Sequence, residues 1–376
     1  MQDPTVSLRS FPTSLARLEY LENTCGIKLN NLKENLLEGD LGENIIGGIT
    51  IPLGVAGPLS LSGLHAKGDY FIPFATTEGG LVASINRGCK AISESGGAHV
   101  FSDKVGTTRG PVFSVKSRNS GEALKKWINE NTSKIKEASE STSKHLKFKK
   151  VDITPVASYV FMRFYFDTDS AMGMNMVTFA TDAISKLIEA NTEAKCISIA
   201  GNYDIDKKPA WLNFIEGRGF KAWGEVVIPQ KVVRGTLKTT SEKIFEVWLS
   251  KCMIGSAMSG SIGFNAQISN IVAAFFAATG QDLAHVVDGS LGITIAKVVN
   301  EDLYLSVYIP SLLMGIVGGG TGRPTQNDAI KLTGVKSSDE AAEILVGAAL
   351  AGELSLLASL AEGSLATAHK SLGRKK

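Results

Sequence analysis

The sequence predicts an α+β fold: a small helical N-terminal region, a large domain around a long central helix, and a smaller α+β domain inserted in the large one. Three observations carry this expectation. Short helical pieces fill the first 42 residues, strand and helix signals alternate between residues 111 and 200, and an apolar helical pattern returns after residue 337. The expected boundaries are 1–42 for the N-terminal region, 43–110 with 201–376 for the large domain, and 111–200 for the insert.

Taken in order, residues 14–21 (SLARLEYL) have helical spacing, and residues 45–61 (IIGGITIPLGVAGPLSL) read as tight turns between short strands. Thr76 or Thr77 caps a helix over 78–94. Leu81, Val82, Ile85, Cys89 and Ile92 form its apolar face, and Ser84, Arg87, Lys90 and Ala91 lie on another. In the insert, a strand at 112–115 precedes a charged helix over 121–137. The basic stretch 144–150 leads into a strand at 157–166, then a helix around 177–190 and a strand at 196–200. A strand at 224–229 returns to the large domain. The last third reads as small-residue-rich and helical. Ser337 and Glu340 form a capping box, and the pattern then runs from 341 to about 371, broken or kinked at Gly352 or Gly363.

Composition narrows the function classes. The 376 residues are 44% hydrophobic and 20% charged, as in ordinary globular proteins, and the net charge of +2 supplies no field to steer nucleic acid or an anionic membrane. Apolar runs such as 271–278 and 309–317 are shorter than the roughly 20 residues that span a bilayer. Cys25, Cys89, Cys196 and Cys252 are scattered without a CxxC pair, which fits free thiols in a cytoplasm and no metal site.

No GxGxxG follows a strand, and P-loop, GxSxG and HExxH motifs are absent, so a nucleotide would need another binding mode. Four segments remain. Phe74-Ala-Thr-Thr-Glu-Gly-Gly places Glu78 in a helix's first turn, beside glycines that admit a ligand to the backbone. Gly201-Asn-Tyr-Asp-Ile-Asp-Lys-Lys-Pro presents two lysines that can polarise a carbonyl and hold a carboxylate. Asp282 follows an apolar helix in Gly280-Gln-Asp, and His369 lies near the C-terminus. Alone, each has a bland reading: a helix-stabilising glutamate, a solvated turn, a helix end and a surface histidine.

Together they resemble the class I hydroxymethylglutaryl-CoA reductases. The likeness runs from about residue 43 to 374 and includes ENIIGG, PLGVAGPL, TTEGGLVAS, AMGMNM, GNYDIDKKPA, IEGRG, GQD and VGGGTG in family order. The resemblance implies that Lys207 stabilises the substrate oxygen, Glu78 supplies protons, Asp282 sits between them and raises the proton affinity of Glu78, and His369 protonates the departing CoA thiolate. Arg109, Asn202, Asp206, Lys208, Lys251 and Asn270 match positions for the hydroxymethylglutaryl end. Glu43, Asn44, Ser84, Asn86, Arg87, Lys90, Lys238 and Ser355 match CoA-contacting positions.

The insert is then expected to be ferredoxin-like and to bind NADPH through Met172, Gly173, Met174, Asn175, Gly319, Gly320 and Thr321, with Ser143 and Lys144 on the extra phosphate. A homodimer or homotetramer with active sites between subunits is also implied, with no nucleic-acid or membrane partner. Several positions depart from the pattern. Ala200 replaces a serine and Gln267 a histidine, Ser170 stands where an aspartate is common before AMGMNM, GSIGF is one glycine short, and residues 289–294 (GSLGIT) differ from the usual SSNCIT. Two rival readings stay open, an NADH-linked degradative enzyme of the same fold and a non-catalytic CoA-thioester-binding homologue.

Overall fold

The computed structural model describes residues 7–37 and 43–363. The chain divides into two compact units, residues 1–52 and 53–376. In the first, helix α1 (Ser14–Cys25) starts where the Thr13 hydroxyl accepts the Ala16 N–H at 3.1 Å, and it ends at left-handed Gly26. Buried Glu22 of α1 accepts the Leu29 N–H at 2.7 Å and the Lys33 ammonium at 2.8 Å, tying the helix to the next turn.

The second unit mixes helix and sheet. Among its described residues ten strands join in one sheet: β1 (Leu53–Gly63), β2 (Lys67–Ala75), β3 (Ala98–Arg109), β4 (Val112–Ser114), β5 (Lys147–Val156), β6 (Tyr159–Asp167), β7 (Lys195–Ser198), β8 (Gly219–Ile228), β9 (Ile293–Val299) and β10 (Asp302–Leu312). The spatial order is β7-β4-β6-β3-β8-β10-β9, with β1 paired to β2 and β3, and β5 to β6. Strand β3 is the shared member. Its first part pairs with β1 and β8, and its last three residues, Thr107 to Arg109, pair with β6.

Helices α2 (Leu81–Glu94), α3 (Arg118–Glu130), α4 (Thr132–Glu140), α5 (Met174–Asn191), α6 (Ile268–Thr279) and α7 (Ser338–Glu362) complete the frame. Between residues 112 and 198 the order is strand, two helices, two strands, helix, strand, with antiparallel neighbours β7-β4-β6-β5. That is the ferredoxin-like arrangement. This segment has its own hydrophobic cluster, including Phe113, Ile128, Phe164, Phe166 and Ile184. Its two ends meet, since the Gly201 N–H donates to the Gly110 carbonyl at 2.6 Å.

The larger cluster surrounds α7, which is buried from Glu340 to Ser355. Among the described residues α7 alone is long and apolar enough to cross a membrane, yet 78% of its apolar window is buried inside the protein. Helix α2 lies so close that a Cβ on Gly88 would stand 1.9 Å from the Ala351 carbonyl oxygen. Glycine is required there for the approach. Buried carboxylates on α7 serve backbone donors: Glu343 accepts from His65 and Ala66 at 2.9 and 2.7 Å, and Glu353 from Ala266 and Gln267 at 2.7 and 2.6 Å.

Several expectations need correction. Helix α2 begins at Leu81 behind left-handed Gly80, so Glu78 precedes it and Thr76 accepts the Glu78 N–H instead of capping a helix. Ala91 is fully buried, not on the polar face. Residues 45–61 hold part of one 11-residue strand, bulged near Pro58, in place of short strands. The charged helix is two helices, and the basic stretch is largely strand β5. The last third contains the β9–β10 hairpin. Ser337 accepts the Glu340 N–H, but the Glu340 carboxylate turns back to the Lys336 N–H, one residue before the expected partner. Gly352 lies inside an unbroken helix, which stops at left-handed Gly363.

The close α2–α7 approach makes a quantitative expectation. Gly88→Ala forces backbone apart and should cost about 1–3 kcal/mol or more, whereas Gly235→Ala, which meets open space, should change little. Denaturant midpoints of both variants check this. Equal effects would show that α7 does not pack against α2 this closely.

Candidate active site

The segment from 201 to 208 crosses the neck of the ferredoxin-like insert in an unusual backbone conformation. Asn202, Ile205 and Lys207 have φ of 60°, 52° and 59°, a left-handed region that a β-branched residue such as Ile205 adopts only when neighbours impose it. The neighbours are on hand. Asn213 donates to the Ile205 carbonyl at 2.9 Å, and Thr108 to the Asp204 carbonyl at 3.1 Å. A Cβ on Gly110 would stand 2.5 Å from the Asp204 nitrogen, so glycine lets the loop lie against β3's end.

This loop delivers Lys207 to Asp282, with Nζ 2.8 Å from Oδ2. Asp282 leads the turn after α6, where its side chain also accepts the Ala284 N–H at 3.0 Å. Burial alone would raise the Asp282 carboxyl. The Lys207 hydrogen bond, the Ala284 N–H and the charges of His285 and Lys207 outweigh burial and hold it below the usual carboxylate range.

Behind this pair lies a buried ionic layer. Arg218, at the head of β8, is fully buried and reaches Asp206 at 2.9 Å and Asp288 at 3.1 Å, and Thr108 accepts its Nε–H at 2.8 Å. Asp288 also lies 2.9 Å from His285 Nδ1. Arg109, at the end of β3, stands 3.5 Å from Asp204 and 3.6 Å from Asp206. Burial pushes the Asp204 carboxyl up, against the pull of Arg218 and Arg109. Sequence reasoning missed Arg218, Asp204, His285 and Asp288. The available signals were the arginine in IEGRG and the three-residue spacing of Asp282, His285 and Asp288, which puts all three on one side of a helical turn.

Other expected substrate positions are distributed around this centre. Lys208 donates to Asn202 Oδ1 at 3.0 Å. Lys251 sits in a π-helical stretch, Trp248–Gly255, and lines an open cleft of about 630 Å³ with Pro209, Ser256, Ser261, Asn265 and Ser290. The Asn270 amide lies 3.5 Å from Gln267 Oε1, and Gln267 itself donates to the Gly352 carbonyl at 2.8 Å. Gln267 thus serves the helix pair here, while the Ala200 backbone meets only the Ser198 hydroxyl in a side-chain bond, at 3.2 Å from both its N–H and its carbonyl. Glu78 is exposed, and among the described residues no hydrogen bond or ion pair joins it to Lys207 or Asp282. The expected place of Asp282 between Lys207 and Glu78 is therefore not found within one chain. His369 lies outside the described residues.

Of the expected CoA positions, Ser84, Arg87 and Ser355 come together across the α2–α7 contact. Arg87 donates to the Ser355 hydroxyl at 3.0 Å and its carbonyl at 2.6 Å, and Ser84 bonds Ser355 at 3.0 Å. Asn86 accepts the Gly57 N–H at 3.0 Å, and Lys90, exposed, stands 3.7 Å from Glu94. Lys238 is exposed with φ of 61°. Glu43 and Asn44 belong to the first unit, where Glu43 pairs with Arg9.

The two glycine-rich loops converge. The Ile316 N–H donates to the Ser170 carbonyl at 2.8 Å, and a Cβ on Gly315 would stand 2.3 Å from the Met172 nitrogen. Gly173 begins α5 with φ of 81° and no side-chain cap, which leaves Met174 and exposed Asn175 at an open helix N-terminus. Ser143 reaches that first turn, its hydroxyl 3.4 Å from Met176 Sδ, and Lys144 is exposed beside it. Gly319 faces open space, Gly320 packs on Gly280, and buried Thr321 donates to the Gly318 carbonyl. Free helix N–H groups, a cation and unobstructed glycines fit a phosphate-bearing dinucleotide. Gln281 joins this loop to Asp282's turn, exchanging bonds with Gly315 at 2.7 and 3.0 Å.

Comparison with known proteins spans nearly the whole chain. The family model described as hydroxymethylglutaryl-coenzyme A reductase matches residues 13–374. The chain is 47% identical over 367 residues to the 3-hydroxy-3-methylglutaryl-coenzyme A reductase of Methanothermobacter thermautotrophicus, covering 95% of this chain and 92% of that protein. It is 46% identical over 374 residues to the enzyme of Methanocaldococcus jannaschii, with the same coverage of each. Among solved structures, the class II reductase of Streptococcus pneumoniae bound to NADPH superposes with a TM-score of 0.70. It shares 17% identity, covering 92% of this chain and 96% of that one, which is a likeness of fold. By sequence along nearly its full length, the chain belongs to the hydroxymethylglutaryl-coenzyme A reductase family.

Proposed function

We propose that the protein reduces (S)-hydroxymethylglutaryl-CoA to mevalonate and CoA with two NADPH, as a class I member of its family serving the mevalonate pathway. The observation that carries this reading is the 2.8 Å Lys207–Asp282 pair on a constrained loop. An ammonium kept charged by a carboxylate and fixed by its backbone suits an oxygen that becomes negative as a thioester carbonyl is reduced. The class assignment rests on the ordered motif set, from ENIIGG to VGGGTG.

The bound dinucleotide supplies the hydride, and Met172 to Asn175, Gly319, Gly320 and Thr321 would hold it, with Ser143 and Lys144 on its extra phosphate. Lys207 acts first on the thioester oxygen and again at the aldehyde. Arg109, Asn202, Asp206, Lys208, Lys251 and Asn270 receive the hydroxymethylglutaryl end, whose carboxylate calls for cations. Ser84, Asn86, Arg87, Lys90, Lys238 and Ser355 receive CoA.

Glu78 supplies protons to the thiohemiacetal and the aldehyde. Its exposed carboxyl, without a link to Lys207 among the described residues, fits a site completed by a second copy, in a homodimer or homotetramer. His369 protonates the CoA thiolate, which would otherwise return to the aldehyde. We place the protein in the cytoplasm, without a nucleic-acid or membrane partner.

Lys207→Ala should fold and bind CoA normally yet lose thioester reduction by more than about 100-fold, as expected for a lost oxyanion donor. NADPH consumption and CoA-binding calorimetry measure the two properties. Near-normal turnover would remove Lys207 from the reaction. Lys144→Glu should raise KM for NADPH and leave that for NADH little changed, because only the former carries the phosphate. Equal losses with both cofactors would place phosphate recognition elsewhere.

A further inference from the structure

Asn213 lies in the short helix Trp211–Glu216 and is fully buried, so its side-chain amide must find partners inside the protein. Arg163, on β6 of the ferredoxin-like insert, is also fully buried. It donates from Nη2 to Asn213 Oδ1 at 3.0 Å and to the Gly217 carbonyl at 2.7 Å. A guanidinium only donates, which turns the amide oxygen toward β6 and the NH2 group away from it. That NH2 group meets the Ile205 carbonyl at 2.9 Å and Asp288 Oδ1 at 3.4 Å.

The two acceptors belong to the two segments that carry the reacting pair. Ile205 stands two residues before Lys207 in the 201–208 loop, and Asp288 closes the turn that Asp282 opens. Ile205 is β-branched with φ of 52°, so its peptide plane leaves this conformation unless something holds it. Thr108 holds the plane before it, through the Asp204 carbonyl. Asp206, after it, reaches Arg218 at 2.9 Å, but a side-chain bridge leaves the 205–206 plane free to turn. The bond from Asn213 fixes that plane, and with it the direction in which Lys207 leaves the loop. We propose that Asn213 is a positioning residue for the reaction: oriented by Arg163, it clamps the Ile205 carbonyl to the Asp288 turn and so aims Lys207. This rests on the assignment of Lys207 to the reacting centre. Being fully buried, Asn213 acts through the loop and not on the substrate.

Two substitutions separate this role from support of the fold. Asn213→Asp is nearly isosteric and still accepts from Arg163, so the contact with β6 remains. It cannot donate, and it sets a carboxylate against the Ile205 carbonyl and Asp288. Its kcat for thioester reduction should fall roughly 10- to 100-fold, the range that one imposed backbone conformation represents. CoA binding should be unchanged, because Ser84, Arg87 and Ser355 are held by the α2–α7 contact. Asn213→Ala removes the clamp without adding a charge. Combined with Ile205→Gly it should recover turnover, since glycine adopts the left-handed region without help. A residue that only supported the fold would show the opposite, the second substitution deepening the loss.

The test measures kcat by NADPH consumption, CoA affinity by calorimetry and denaturant midpoints for Asn213→Asp, Asn213→Ala, Ile205→Gly and the Ala–Gly double variant. A low kcat in Asn213→Asp with normal CoA affinity, and a double variant faster than Asn213→Ala, are the expected results. Wild-type kcat in Asn213→Asp, or a double variant slower than Asn213→Ala, overturns the inference. Where neither Asn213 variant folds, Arg163→Met leaves the amide in place without its orienting donor. It should lower kcat in the same direction, and wild-type kcat there overturns the inference too. Lys207→Ala run in parallel keeps the two readings apart. If it retains turnover, the site assignment fails. If it is inactive while Asn213→Asp keeps the wild-type kcat, only the role of Asn213 fails.

Discussion

Enclosed on every side by strands and helices, α7 has no solvent-facing stripe through its middle, so each polar group it carries must find a partner inside. Glu353 finds the backbone of Ala266 and Gln267, the residues that lead into α6, and the Thr294 hydroxyl at the start of β9. Burial drives this carboxyl's proton affinity up, while those three donors draw it down. The start of α6 is thereby tied to the middle of α7, and the end of α6 delivers Asp282. A second tie runs from Glu343 to the turn between β1 and β2. Geometry at the Lys207–Asp282 pair thus depends on α7 by way of α6.

Charge is handled differently at the two levels of the structure. Around α7, buried carboxylates are satisfied by neutral N–H and hydroxyl donors. Around Asp282 the carboxylates face Lys207, Arg218, Arg109 and His285. Removing one member of such a layer leaves an uncompensated buried charge, which costs far more than an exposed pair contributes. The left-handed Ile205 and Lys207 belong to the same arrangement. Their backbone conformation is unfavourable in isolation and persists because Asn213 and Thr108 hold its carbonyls.

Elements with strong periodicity were legible in the sequence: α5 and α7 lie close to where their apolar spacing predicts them. The Lys207–Asp282 pairing was legible only through the resemblance, because 75 residues of chain separate two groups that no local pattern connects. The β9–β10 hairpin escaped for a physical reason. Its strand alternates cleanly, with Leu303, Leu305, Val307 and Ile309 inward, but the turn uses Asn300 and Glu301, both left-handed, where glycine would have advertised it. Glu78 was misplaced because Thr76 and Thr77 resemble caps, whereas Gly80 makes the entry. The ionic layer escaped because each member looks like an ordinary surface charge until β3, β8 and the 282–288 turn bring them together.

The hydrogen bond between Gly110 and Gly201 gives the ferredoxin-like segment a common doorway for entry and exit. Chain leaves the frame and rejoins it at one point, so the excursion adds no net displacement to the downstream chain. Residues 201 onward are registered against β3 whatever the length of the path between. Such a closed detour lends itself to exchange during evolution: a different module can be spliced into the same doorway while Lys207 and Arg218 keep their addresses in the frame.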